Sequence, residues 1–211
     1  MCHHTHTYGI RAIGYPVSIR YSMYMAVAPD RTAEDWIRTA SRRLASAGSE
    51  ALAIEPLAKA MGVTKGSFYW HFADRPALLQ AVIADWEARA TTPLLERLRR
   101  SGREPVERLT ALMHTVAAEG KGSLDPAMRA WAHGEAKAAA AVGRVDAARL
   151  AYIAGEFRAL GFSAAAAWSR ARLLYLHLLG EHALAFGPAD ASVDERLREA
   201  RRVLALLLKT E

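Results

Sequence analysis

The sequence predicts an all-α protein of about nine helices, and three observations carry that expectation. Ala, Leu and Arg, all good helix formers, dominate the 211 residues, while runs of β-branched residues are scarce. Apolar residues recur three and four apart along most of the chain. Glycines and prolines fall where those periodic stretches stop, as at Gly48, Gly62, Gly161 and Gly187-Pro188. With 52% hydrophobic residues the chain can bury one sizeable core or two small ones.

Residues 1–30 stand apart. Met1 to Ala28 holds His3, His4 and His6, four tyrosines and no Asp or Glu. It reads as a disordered extension, with Met23 or Met25 as an alternative start. Flexible histidines without carboxylate or thiol partners make a poor metal site, so no metal is expected. Arg11 and Arg20 could trail into a minor groove, as basic N-terminal arms do.

The folded chain is expected to begin at Asp30-Arg31-Thr32. Thr32 can cap a helix whose first turn carries Glu34 and Asp35, favourable at the positive end of the helix dipole. Ala33, Ile37, Ala40, Leu44 and Ala47 would form its buried stripe, with Arg38, Arg42 and Arg43 opposite and Gly48 at its end. Pro56 suits the first turn of a second helix.

From Leu57 to Phe72 the chain reads as a short helix, a tight turn at Gly62 and another short helix. Leu57, Ala58 and Met61 sit at helical spacing and can face a core. Phe68 and Phe72, four apart, share one inward face. Lys65, Ser67, Tyr69, Trp70 and His71 are left pointing wholly or partly outward. A helix that enters a DNA groove needs such donors for phosphates and base edges, and flat rings to pack on sugars.

This segment closely resembles the helix-turn-helix of the tetracycline-repressor (TetR) family of transcription regulators. The resemblance covers about Arg31 to Arg100 and is strongest over Ile54 to Leu79. The matching residues are Ala58, Gly62, Val63, Thr64, Lys65, Gly66, Ser67, Phe68, Tyr69, Trp70, His71 and Phe72. Asp74-Arg75 with Ala77, Leu78 and Leu79 then opens a long fourth helix. The resemblance implies a three-helix DNA-binding domain over residues 31–76 and a larger helical ligand-binding and dimerisation domain over 77–211. It also implies DNA contacts from Thr64, Lys65, Gly66, Ser67, Tyr69, Trp70, His71 and Arg75, with Lys65 and Tyr69 on the backbone. The chain departs from the family at Ala53, where members often carry a Ser or Thr that caps the second helix and reaches a phosphate.

The fourth helix is expected over about Arg75 to Arg100, with Leu78, Leu79, Val82, Ile83 and Trp86 inward. Pro93 should kink or restart it, with Thr92 able to cap the new start. Further helices are read over Glu104 to about Lys121, from Asp125-Pro126 to Gly134, from Glu135 to Leu160, from a Ser163 cap to Gly187, and from Asp190 or Ser192 onward. In the penultimate helix Leu173, Leu174, Leu176, Leu178 and Leu179 cannot all face one core, so it must be buried on several sides. That helix is either central in a monomer or, as the resemblance favours, it and the last helix form a four-helix interface with those of a second subunit.

Net charge is +6 and the pI about 9.7, which suits an anionic partner. The excess is spread evenly: residues 1–75 hold 9 Lys/Arg against 6 Asp/Glu, and residues 76–211 hold 19 against 16, so each part is +3. Cys2 is the only cysteine, which excludes an intramolecular disulfide and fits a cytoplasmic home. No apolar stretch reaches the ~20 residues that span a bilayer, so no membrane partner is expected. His114, His133, His177 and His182 are scattered over different helices, and no nucleophile elbow, zinc-protease or phosphate-loop motif is present. Neither enzyme activity nor a cofactor is expected.

The resulting expectation is a homodimeric, sequence-specific DNA-binding regulator, a repressor released from an inverted-repeat, double-stranded operator by a small-molecule ligand. Trp86, Met113, His114, Trp131, Tyr152, Phe157 and Tyr175 are its candidate ligand-lining residues, each also readable as plain core. The alternative is a helical small-molecule-binding or protein-interaction module without DNA binding.

Overall fold

The computed structural model describes residues 31–118, 123–183 and 192–209. The expectations on residues 1–30, Gly187-Pro188 and Asp190 lie outside them. Among the described residues there are ten α-helical segments and no strand.

Helix α1 (Ala33–Ala47) opens on a capping box. The Asp35 N–H donates to Thr32 Oγ1, and the Thr32 N–H donates to the Asp35 carboxylate. Its buried face is Trp36, Thr39, Ala40 and Leu44, while Ala47 is exposed and Ile37 half-buried. The face is turned from the expected stripe because the Trp36 indole buries far more apolar surface than an alanine.

A 3-10 turn at Ser49–Ala51 leads to α2 (Ile54–Met61), whose N-cap residue Ala53 makes no side-chain bond. The helix ends where Gly62 takes φ +69°, its N–H donating to Lys59 O and the Val63 N–H to Ala58 O at 3.0 Å. That left-handed cap is why a glycine stands there. Helix α3 is only Lys65–Phe68, and the chain then turns through Tyr69–His71. Asp74 caps α4 (Arg75–Ala90) by accepting from the Ala77 N–H at 2.8 Å.

The long fourth helix is split. After α4 ends at Ala90, Thr91 leaves helical geometry, with φ −141° and ψ −60°, and α5 runs Thr92–Arg99. The break falls before Pro93, which therefore sits in the first turn of α5, where its missing N–H removes no helical bond. Thr91, not Thr92, holds the cap position, and its buried hydroxyl makes no cap: Oγ1 accepts from Arg149 Nε at 3.1 Å.

Then follow α6 (Pro105–Ala118), α7 (Leu124–Ala132, capped by Ser123), α8 (Ala136–Ala159), α9 (Ala164–Ala183) and α10 (Val193–Leu207). A Ser192–Glu195 capping box starts α10. Two hydrophobic clusters organise them. One joins Trp36, Leu57, Phe68, Leu78 and Trp86 to Met128, Trp131 and Val145, so the packing around the helix-turn-helix includes side chains well beyond residue 76. The other gathers Leu95, Leu109, Met113, Phe157, Leu174 and Leu204. Helix α8, 24 residues long and so about 36 Å, serves both. The leucines of α9 divide: Leu174 and Leu178 are buried within the chain, whereas Leu173 and Leu176 are exposed.

Candidate nucleic-acid interface

The orientation of α3 is set by Phe68. It is fully buried, edge-on to Trp36 with centroids 5.3 Å apart and stacked on the half-buried Phe72 at 5.5 Å. With that ring inward, Thr64, Lys65, Gly66, Tyr69 and Trp70 are exposed and Ser67 and His71 half-buried. Trp70 is 87% exposed, a large solvated ring that no core contact requires.

Lys65 Nζ donates to Glu55 Oε1 of α2 at 2.5 Å. That bond raises the lysine pKa and lowers that of the carboxyl. The pair is open to solvent on both sides, so a phosphate can compete with Glu55 for the ammonium. Arg75 is exposed yet donates Nε to the Leu52 carbonyl at 2.9 Å, tying the start of α4 to the loop before α2. At Gly66 an added Cβ would meet nothing closer than Thr64 Oγ1 at 3.6 Å, so the fold itself does not require a glycine there.

A second feature is a cavity of about 270 Å³ walled mainly by Leu94, Leu95, Leu112, Val116, Ile153 and Leu178. One corner is polar. Arg149 donates to Asp125 at 2.5 Å, to Ala90 O at 3.0 Å and to Thr91 Oγ1. Arg129 pairs with Asp146 at 2.6 Å and donates to Tyr175 Oη, which itself donates to Asp146 at 2.7 Å. Trp86 Nε1 donates to Asp125 at 3.1 Å. Burial pushes the Asp125 carboxyl up, but the bond from Arg149 and the charges of Arg149 and Arg129 outweigh it and hold the pKa below the ordinary value. Burial, then the bond to Asp146, raises the Tyr175 phenol.

Residues 37–82, which span α2, α3 and their flanks, match the family model of bacterial regulatory proteins, tetR family. Over this segment the chain is similar to TetR-family regulators. No curated relative matches the chain by sequence. Solved structures share its fold. A candidate regulator from Saccharomonospora viridis in complex with choline is 17% identical with TM-score 0.70, over 82% of this chain and 95% of its own. A transcriptional regulator from Rhodococcus is 18% identical with TM-score 0.69, over 84% and 96%. Reduced NemR of Escherichia coli is 20% identical with TM-score 0.66, over 82% and 97%. The match over residues 37–82 supports DNA binding and transcription regulation.

In this chain the eight residues expected on DNA fall in or beside the helix-turn-helix, and two of them bond other segments: Lys65 to Glu55 of α2 and Arg75 to Leu52. The seven ligand candidates do not converge. Tyr175 lines the cavity, and Trp86 touches its corner through Asp125. Met113, Tyr152 and Phe157 are buried in the second cluster, Trp131 lies in the first, and His114 is exposed. The Asp125, Arg129, Asp146 and Arg149 network is absent from the sequence reading. Its signal was present: Asp125 and Arg129 are four apart, beside the buried Met128, on a short apolar helix. Among the described residues no helix is long and apolar enough to cross a membrane.

Proposed function

We propose that the protein is a homodimeric repressor that binds an inverted-repeat operator and is released by a small molecule. The observation that carries this reading is the outward face of α3 and the following turn, where Lys65, Tyr69 and Trp70 are exposed around a buried Phe68. Lys65 and Tyr69 serve the phosphates, and Thr64, Ser67, Trp70 and His71 serve bases or sugars. Gly66 admits close backbone approach, and Arg75 fixes the helix start and adds positive charge. Residues 31–76 form the DNA-reading part, and 77–211 the ligand and dimer part. The protein acts by binding and is not an enzyme.

Two further observations support the dimer and the effector. Trp168, Leu173 and Leu176 of α9 and Leu206 of α10 are large exposed apolar side chains, suited to a second copy packing about a two-fold axis. The choline complex of the S. viridis protein is a precedent for a small ligand in this fold. In this chain the cavity corner is tied to α4, the helix that leads out of the DNA-reading part. Arg149 bonds Ala90 and Thr91 where α4 ends, and Asp125 holds Trp86 of α4. A ligand that disturbs this corner moves α4, and it shifts the equilibrium only by its differential affinity for the two states.

Selection of bound genomic fragments followed by footprinting tests the reading. An inverted repeat protected on both halves is expected. A single asymmetric protected site, or no selective binding, would overturn it.

A further inference from the structure

We propose, on the reading of this protein as ligand-responsive, that the cavity takes an uncharged, largely apolar small molecule whose acceptor oxygen is held by the Thr91 hydroxyl. Three observations lead there. First, the charges of the polar corner cancel: Arg129 and Arg149 face Asp125 and Asp146 in short bonds. An anion or cation added to this charge-balanced set would bring an unpaired charge into an apolar space, which is strongly unfavourable; the buried Arg129 Nε has no partner among the described residues, but its guanidinium is already neutralised by Asp146. Tyr175 is the only aromatic among the described lining residues, so the aromatic cage that holds quaternary ammonium ligands is missing as well.

Second, Thr91 is 4% exposed and lines the cavity, and its Oγ1 accepts from Arg149 Nε. That bond occupies a lone pair and turns none of its own hydrogen to use. The Thr91 O–H has no acceptor among the described residues, and a buried donor without an acceptor favours any ligand that supplies one. Third, the cavity measures about 270 Å³. A protein cavity of roughly 150 Å³ lined by Leu, Ile and Phe already holds benzene. The space here suits a ring with a short substituent, with Leu112, Val116 and Ile153 against the ring and the substituent oxygen toward Thr91.

Calorimetric titration of the full chain, without DNA, tests this with four probes of similar size: acetophenone, ethylbenzene, benzoate and benzyltrimethylammonium. Acetophenone is expected to bind about tenfold or more tighter than ethylbenzene, the margin of one buried hydrogen bond, and both ions more weakly still. Thr91→Val keeps the shape and removes the hydroxyl, so it should lower acetophenone to the affinity of ethylbenzene. Retained ethylbenzene binding in that variant reports an intact cavity, and Thr91→Ser should restore the preference for the ketone. Val116→Trp should abolish binding of both. Tightest binding by either ion, no binding by any probe up to its solubility, or a ketone preference that survives Thr91→Val would each overturn the proposal. Anisotropy with a footprinted DNA fragment separates the two levels. Acetophenone that binds as expected but leaves DNA affinity unchanged supports the cavity assignment and overturns ligand release.

Discussion

At Lys65 a carboxylate already holds the ammonium that a phosphate would want. Lys65→Ala should weaken specific and nonspecific DNA alike and lower the slope of log affinity against log salt by about one unit. Glu55→Gln should do the opposite, raising affinity by freeing Lys65 and removing a negative charge beside the DNA. Titrations over a salt series check both, and an unchanged slope with lost sequence preference would mean that Lys65 reads a base. At Gly66 the added methyl has room, and alanine favours a helix by about 1 kcal/mol over glycine. Gly66→Ala should therefore keep or raise Tm while weakening DNA binding, and intact DNA affinity would deny close backbone approach. Asp125 gives a pH signature. Its folded pKa lies below the ordinary value, so its stabilisation is complete above the unfolded carboxylate pKa of about 3.9 and is lost as pH falls through the lower folded one. Wild type should lose Tm more steeply than Asp125→Asn below about pH 4, and parallel acid profiles would remove Asp125 from the account.

At the scale of elements, α9 shows why an apolar run does not define an interface by itself. The sequence groups Leu173, Leu174, Leu176, Leu178 and Leu179, but a helix turns 100° per residue and sorts them by face. Leu174 is fully buried in the chain's second cluster, and Leu176 is 62% exposed. Leu174→Ala should cost about 2–5 kcal/mol in denaturant unfolding. Leu176→Glu should leave the fold intact and yield a monomer by sedimentation. A Leu176→Glu protein that still sediments as a dimer would move the interface elsewhere. The split between α4 and α5 belongs to this scale too. Pro93 announced a disruption in the sequence; it falls at Thr91, where Arg149 reaches across from α8 to bond Ala90 and Thr91.

For the whole molecule, a two-fold dimer with one recognition helix per subunit demands an operator whose halves are inverted repeats. Half-site centres should lie roughly 34–36 Å apart, one helical turn of DNA, or slightly more. Inserting about five base pairs between the halves rotates one groove to the far side of the duplex. Mobility-shift titration should show specific binding abolished although each half-site is intact. Equal affinity for the lengthened site would mean a monomeric reader.

The sequence by itself determined the local features. Thr32 and Ser192 with their acidic partners three residues on, Gly62 at a left-handed turn, and the spacing of Phe68 from the outward Lys65 and Tyr69 are all short-range patterns. Capping, turn and face preferences act within a few residues, so they are legible without a fold. The helix-turn-helix and its exposed face were therefore readable in advance. Which residue of α1 fills the first core was not, since Trp36 and Ile37 are neighbours and only packing against Phe68 and its partners chooses between them. The cavity was also hidden. Its corner joins Thr91, Asp125, Arg129, Asp146, Arg149 and Tyr175, drawn from the α4–α5 junction and three later helices, and side-chain pairs that far apart in sequence are fixed only when the helices pack. The candidates chosen from sequence were mostly large aromatics, which fill cores. The groups that shape the cavity's chemistry are charged residues half-buried in pairs, and burial is a property of the tertiary structure alone.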